Sequence, residues 1–268
     1  MKGWIHSIVF IFSFFCSFAQ EREWVQIAEH EVSDVDAWDV DPMGKVIYGK
    51  SQRLYKLDTS FAMQFTEGIK RFGSVTKIDA RHALKTLIFS ESQQAIAFID
   101  NTLTFHKGIK DLSILDIFFA TQVSYSAQSN RYWVFDVDNT RLVLVDVNRN
   151  SVQVTENIAG LLNTLQVDEL MEIENVLLLF DKSKGIYMFD IYGSMIDMVE
   201  TQNAKAVHFS DNKLYYINDS ELVRIKIKNR EELRIPLPED DIIKFRVLGS
   251  YIFFQTPTHL KKYLLKKK

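Results

Sequence analysis

The sequence predicts an all-β protein, a six-bladed β-propeller closed by an N-terminal strand that completes the last blade. Three observations predict it. A unit of about 41 residues recurs six times along the chain. Each unit carries an aromatic- and β-branched-rich run, a polar turn and a second apolar run, the pattern of paired strands. The strand count also balances at the two chain ends.

Taken in chain order, the second strands of the units are Lys45–Tyr48, Thr86–Phe89, Tyr132–Phe135, Val176–Phe180, Lys213–Ile217 and Tyr251–Phe254. Several are nearly continuous apolar runs, as expected of strands buried on both faces. Four to six mostly polar residues follow each. A third strand then opens at Leu54, Ile96, Leu142, Ile186, Leu222 and Leu260, with spacings of 42, 46, 44, 36 and 38 residues. The first four third strands end in Asp58, Asp100, Asp146 and Asp190, where the chain should turn. Four strands in a period of roughly 40–45 residues is the arithmetic of a propeller blade. An alternating helix–strand fold would need repeated amphipathic helices. The best candidate, Ile109–Ala120, is isolated and reads as a connecting loop or short helix.

The sixth unit has room for only three strands, Lys244–Leu248, Tyr251–Phe254 and Leu260–Leu265. Upstream of the first unit, Trp24–Glu31 is strand-like and otherwise unassigned. It is expected to supply the missing outer strand, because ring closure removes exposed sheet edges.

Residues 1–19 read as a cleaved secretory leader: Lys2, an apolar run from Ile8 to Phe15 interrupted only by Ser13, and Ser17 and Ala19 before the cut. The uncharged stretch is short for a membrane span. A leader ending in Ala-Gln resembles those of exported Bacteroidota proteins. Cys16, the only cysteine, lacks the small preceding residue that a lipidation site wants, since Phe15 stands there. Residues 20–268 are then expected to form one propeller domain that relies on core packing rather than disulfides. Apolar residues make up 47% and charged residues 25%, which excludes a disordered chain. A net charge of -3 argues against nucleic acid as partner.

Val35–Asp58 resembles the blades of NHL-repeat and TolB-like six-bladed propellers, with Asp41, Gly44, Tyr48, Leu54 and Asp58 in the corresponding places. Later units replace the Gly of the Asp-Pro-x-Gly turn with Asn130, Asn175, Asn212 and Gly249, residues that tolerate left-handed backbone angles. The resemblance implies a fold and no particular activity.

Chemistry is sparse in the sequence. Asp39-x-Asp41-x-x-Gly44 opens like a calcium loop, but Met43 and Lys50 stand where ligands belong, so it reads as a turn. Asp136 and Asp138 form an acidic turn on the face that carries the blade-to-blade crossovers, a candidate site for a cation or basic partner. His82 and His208 fall near first strands, which line the channel. There is no nucleophile elbow, phosphate loop or dinucleotide fingerprint. The C-terminal KKYLLKKK reads as a solubilising strand end. Two long crossovers, Gly108–Thr121 and Asn157–Gln166, contribute Ile114, Phe118, Leu161 and Leu162 as candidate docking residues or channel plugs.

The expected function is therefore a non-catalytic binding or scaffold module, periplasmic or at the cell surface, within an outer-membrane-associated complex of the bacterial envelope. It would take a protein partner, no cofactor, no metal and no nucleic acid, and would not span the membrane. The alternative is a metal-dependent lactonase- or hydrolase-type propeller with a central-channel site. A third reading is glycan binding through Trp38 or Trp133, the latter expected to be buried.

Overall fold

The computed structural model describes residues 22–82, 84–148, 150, 152–155, 158–201 and 203–267. The expected leader and Cys16 lie outside them. The chain opens with β1 (Arg22–Glu31) and then builds five sequential blades. Blade one is β2 (Ala37–Val40), β3 (Val46–Lys50), β4 (Arg53–Leu57) and β5 (Met63–Gly68). Blade two is β6 (Lys77–Asp79), β7 (Thr86–Ser90), β8 (Ala95–Ile99) and β9 (Phe105–Asp111). Blade three is β10 (Ala120–Tyr125), β11 (Arg131–Asp136), β12 (Arg141–Asp146) and β13 (Val152–Thr155). Blade four is β14 (Glu169–Ile173), β15 (Val176–Asp181), β16 (Gly185–Asp190) and β17 (Met195–Glu200). Blade five is β18 (Ala206–Ser210), β19 (Lys213–Asn218), β20 (Glu221–Lys226) and β21 (Glu232–Pro236). Blade six is β22 (Lys244–Leu248), β23 (Tyr251–Gln255) and β24 (His259–Lys267), and β1 supplies its outermost strand in the order β1-β24-β23-β22.

All six sheets are antiparallel and four-stranded. The second and third strands lie within a residue or two of where the sequence puts them. Ile109–Ala120 is neither one loop nor a helix: Ile109–Asp111 belongs to the outer strand β9, and a single 3₁₀ turn covers Leu112–Leu115.

A blade is apolar on both faces, so neighbouring blades must bury those faces against each other. Among the described residues, one hydrophobic cluster lies at each of the six seams. Ile47, Leu54 and Ile88 join blades one and two, and Phe89, Val134 and Val143 join two and three. Trp133, Leu144 and Leu179 join three and four, and Leu178, Met188 and Leu214 join four and five. Ile217, Phe245 and Phe254 join five and six. Trp38, Leu57 and Phe253 join six back to one.

The closing strand is held by more than its ladder. Trp24 stacks edge-on against Phe254 and Tyr263 at 5.5 and 6.0 Å. Its Nε1–H donates to the Pro236 carbonyl of blade five at 2.7 Å.

Three of the aspartates that end third strands, Asp58, Asp100 and Asp190, build the same turn. Asp58 Oδ1 accepts from the amides of Ser60 (2.8 Å) and Ala62 (2.9 Å). Asp100 takes Thr102 and Thr104 at 2.8 and 3.0 Å, and Asp190 takes Tyr192 and Ser194 at 2.9 and 2.8 Å. The residue three after the Asp has positive φ: Phe61 at 69°, Leu103 at 70° and Gly193 at 90°. The register slips beside each of these turns, by one residue at the Asp58 and Asp190 turns and by two at the Asp100 turn, so each is a bulged hairpin. Phe61 and Leu103 accept an uncommon conformation because their side chains are buried in seams. Asp41 uses the same geometry in the first turn of blade one, binding the amides of Met43 and Lys45 at 2.9 and 3.0 Å, with Gly44 at φ 80°. The calcium-like spacing there is the spacing of this turn. The other turn formers behave as expected: Asn130, Asn175, Asn212 and Gly249 all have φ between 56° and 66°.

Two outcomes test this account. Asp100→Ala should lower unfolding free energy by about 1–2 kcal/mol in urea titrations, and Asp100→Asn, which keeps the acceptor, by less. Trp24→Ala should cost about 2–3 kcal/mol, since it removes a large half-buried side chain and a hydrogen bond.

Candidate functional site

First strands converge on the propeller axis, so a charge placed on one of them meets charges from other blades. Here the inner strands carry KID (Lys77–Asp79) followed by Arg81, ELMEI (Glu169–Ile173) and KFRVL (Lys244–Leu248), with Asp39 on β2 and His208 on β18. They form one cross-channel network. Arg246 of blade six donates through Nε to Asp39 of blade one at 2.7 Å, and its Nη2 lies 3.6 Å from Glu169 of blade four. Lys77 of blade two pairs with the same Glu169. Arg81 forks onto Asp79, Nε to Oδ1 at 2.9 Å and Nη2 to Oδ2 at 2.5 Å. It also donates to Ser124 Oγ and the Tyr125 carbonyl of blade three at 2.7 and 2.8 Å, and to the Glu172 carbonyl of blade four. Backbone amides complete the carboxylates: Ala80 donates to Asp39 at 2.8 Å and Tyr125 to Asp79 at 2.9 Å. Glu172 turns into the seam, where it accepts from Trp133 Nε1 and the Ala127 amide.

Buried charge is tolerated only when paired, and the network meets that condition with one exception. Burial raises the Asp79 carboxyl, but the Arg81 guanidinium and its hydrogen bonds outweigh it and hold the pKa at about 2. Glu169 is likewise held well below the ordinary range, because Lys77, Lys244 and Arg246 together outweigh its burial. Four carboxylates, Asp39, Asp79, Glu169 and Glu172, stand with four cations, Lys77, Arg81, Lys244 and Arg246. Lys244 is the one of these cations that forms no ion pair among the described residues. Burial, and then repulsion from Arg246, bring its pKa down to about 7. Burial also keeps His208 neutral, well below its ordinary value, with Arg246 adding to the effect. His208 Nδ1 accepts from the Val247 amide at 3.2 Å, which leaves the ring proton on Nε2.

A cavity of about 190 Å³ lies against this network. Its polar wall includes Asp39, Lys77, Asp79, Arg81, Glu169, His208 and Arg246, and its apolar wall Val40, Leu170, Met171, Ile173, Phe209 and Leu248. Chemically the carboxylates are committed: each accepts from an arginine, a lysine or a backbone amide. Lys244 is the group in the channel that changes protonation near neutrality. Among the described residues, no three of His, Cys, Asp and Glu are grouped so as to hold a metal ion. His82 stacks edge-on against Tyr125 at 4.6 Å, while His208 lines the cavity.

The residues singled out from the sequence separate into two groups. Ile114 and Phe118 are exposed (64% and 61%) and share one crossover, where Phe119 joins them. Asp138 is an exposed turn residue. Asp136 is buried, salt-bridged to Arg141 at 2.7 Å and bonded to Asn139 at 2.9 Å, so it braces its own hairpin. Leu162 is buried and Leu161 packs beside it at the seam of blades three and four, not on an open face. Trp38 and Trp133 are both buried, which removes them as exposed glycan platforms. The channel charges were not among the candidates. Their signal was available, since charged residues alternate within apolar first strands where a purely structural strand would carry none.

The channel makes stability pH-dependent in a defined direction. Asp79, held down to about 2, contributes stability that is complete above about pH 4 and is lost as pH falls toward 2, on the order of 2 kcal/mol. Lys244 works oppositely. Its charged form is disfavoured in the fold, so its penalty is full below about pH 7 and is relieved as pH rises toward the unfolded-chain value of 10.5. Lys244→Met should therefore raise stability at pH 6 by about 1 kcal/mol or more. The gain over the parent should shrink by pH 10, and denaturant titrations at the two pH values check it.

No protein-family model matches the chain, and no curated protein matches it in sequence. Solved structures do resemble it. The Neurospora crassa Pan2 WD40 domain matches with a TM-score of 0.62 at 9% identity, over 91% of this chain and 96% of that one. Virginiamycin B lyase from Staphylococcus aureus matches with a TM-score of 0.60 at 10% identity, over 92% and 100%. PorZ, an essential bacterial surface component of the type-IX secretion system of Porphyromonas gingivalis, matches at 0.52 and 11% identity, over 91% of this chain and 38% of PorZ. At such identities the likeness establishes the propeller fold and nothing finer.

Proposed function

We propose that the chain is a non-catalytic propeller of the bacterial envelope that docks a protein partner on the face bearing the crossovers. The observation that carries this reading is an apolar cluster held on a rigid mount. In the crossover between blades two and three, Leu112, Leu115 and Ile117 point into the seam while Ile114, Phe118 and Phe119 stand exposed. Gln94 clamps the segment from blade two, accepting from the Ala120 amide at 2.6 Å and donating to its carbonyl at 3.0 Å. Blade three clamps it too, through Val137 N–H to the Phe119 carbonyl at 2.9 Å and Arg141 Nη2 to the Asp116 carbonyl at 2.8 Å. Aromatic side chains fixed in advance are good interface anchors, because little ordering remains to be done on binding.

A metal-dependent channel hydrolase is less well supported, because Asp39, Asp79 and Glu169 already serve as acceptors for Arg246, Arg81 and Lys77. The likeness to PorZ, described as a bacterial surface component, agrees in fold with an envelope role. Among the described residues no helix is long and apolar enough to cross a membrane.

The Ile114→Ser/Phe118→Ser double variant should keep its stability within about 0.5 kcal/mol, as exposed substitutions do. It should lose, by tenfold or more, the partner that the parent chain captures from detergent-solubilised envelopes. Absence of any stoichiometric partner for the parent, or stoichiometric calcium or zinc in the purified protein, would overturn the reading.

A further inference from the structure

Most partly buried or buried arginines of the chain have a carboxylate: Arg81 has Asp79, Arg141 has Asp136 and Arg246 has Asp39. Two do not. Arg22, at the start of β1, and Arg224, on β20, form no ion pair among the described residues, and the Nε of each is buried without a hydrogen-bond partner. Arg53 and Arg71 also form no ion pair among the described residues, but they stand in solvent. The two orphaned guanidiniums line the same cavity, about 450 Å³ at the seam of blades five and six. Lys213, Tyr215 and the Gly249–Ser250 turn line it with them.

We propose that this seam is a binding site for a phosphate-type oxyanion, on the propeller face opposite the crossovers. Three cationic side chains converge there, and among the described residues no carboxylate lines the cavity. The exposed Asp211 nearby acts electrostatically on Tyr215 but does not pair with either arginine. The arginines disfavour each other: Arg22 is pushed down first by burial and then by Arg224. Two unpaired guanidiniums held together in a recess cost stability unless an anion lies between them, and their planar forks match two oxygens of a tetrahedral anion. The Tyr215 hydroxyl is kept protonated by burial, so it can donate to a third oxygen. The cavity exceeds a bare phosphate ion, so the site suits the phosphoryl group of a larger molecule. That molecule is either a soluble phosphate ester or a phospholipid headgroup, and the chemistry of recognition is shared. The site is independent of the apolar crossover surface.

The test uses the leaderless full chain. Thermal unfolding is followed in inorganic phosphate and pyrophosphate against chloride at matched ionic strength, for the parent, Arg22→Gln and Arg224→Gln. The expected result is saturable stabilisation of the parent, with affinity weakened about tenfold or more in each variant. Arg22 lies at a strand end, so Arg22→Gln keeps the test valid even if Arg224→Gln unfolds. A second arm measures co-sedimentation with phosphatidylcholine vesicles with and without phosphatidic acid. Binding that needs phosphatidic acid and both arginines assigns a lipid headgroup, and saturable phosphate binding without it assigns a soluble ester. If phosphate and chloride act alike and neither vesicle binds, or if binding survives both substitutions, the site does not exist.

Discussion

A four-stranded blade cannot stand alone. Both its faces are apolar and its last strand offers a row of unpaired backbone groups, so stability requires a neighbour on each side and a ring with no end. The pairing of β1 with β24 is the interaction that meets this requirement. It runs from Arg22 opposite Lys267 to Glu31 opposite His259 and makes the first strand of the described chain the last strand of the last blade. Without it the cluster of Trp38, Leu57 and Phe253 would lose its support at blade six. Every other seam relies on that closure to hold the blades at their angles.

Closure also dictates the chemistry of the axis. Six first strands are brought together whatever they carry, and in this chain four of them, β2, β6, β14 and β22, carry charge. The outcome is a set of bonds between blades distant in sequence, such as Arg246 to Asp39 and Lys77 to Glu169. Buried pairs of this kind contribute little net stability, but breaking one strands its partner. Lys244 stands with these charges but forms no ion pair among the described residues, and its lowered pKa reflects its burial there. The chemically distinct surfaces then divide by location: an axis occupied by the protein's own charges, exposed Ile114, Phe118 and Phe119 in one crossover, and an unmatched pair of arginines at a seam.

The blades were legible because their signals are local. Strand periodicity, polar turns and the recurring Asp each act within about a dozen residues, and even the closing strand could be inferred by counting. The turn aspartates were readable as turns, although not as amide-binding bulged hairpins with Phe61 and Leu103 at positive φ, since burial of those side chains is what makes the conformation tolerable. Ile114 and Phe118 stood out because they are apolar residues in a long connection, and the structure leaves them exposed. Leu162 resembled them in sequence, and only the way its crossover folds into the seam separates it. The channel charges left a local signal in the first strands, but which of them meet, and the pairing of Arg22 with Arg224, were not legible. Each depends on residues from different blades meeting in space, as with Arg22 and Arg224, which are about two hundred positions apart.

The central claim is that closure by β1 makes the six blades one cooperative unit. Native-state hydrogen exchange tests it most directly. The account predicts that the β1 and β24 ladder amides exchange with protection close to that of the buried second strands β7, β11 and β15, because opening the closing strand opens the ring. Fast exchange in β1, with the remaining blades fully protected, would contradict it.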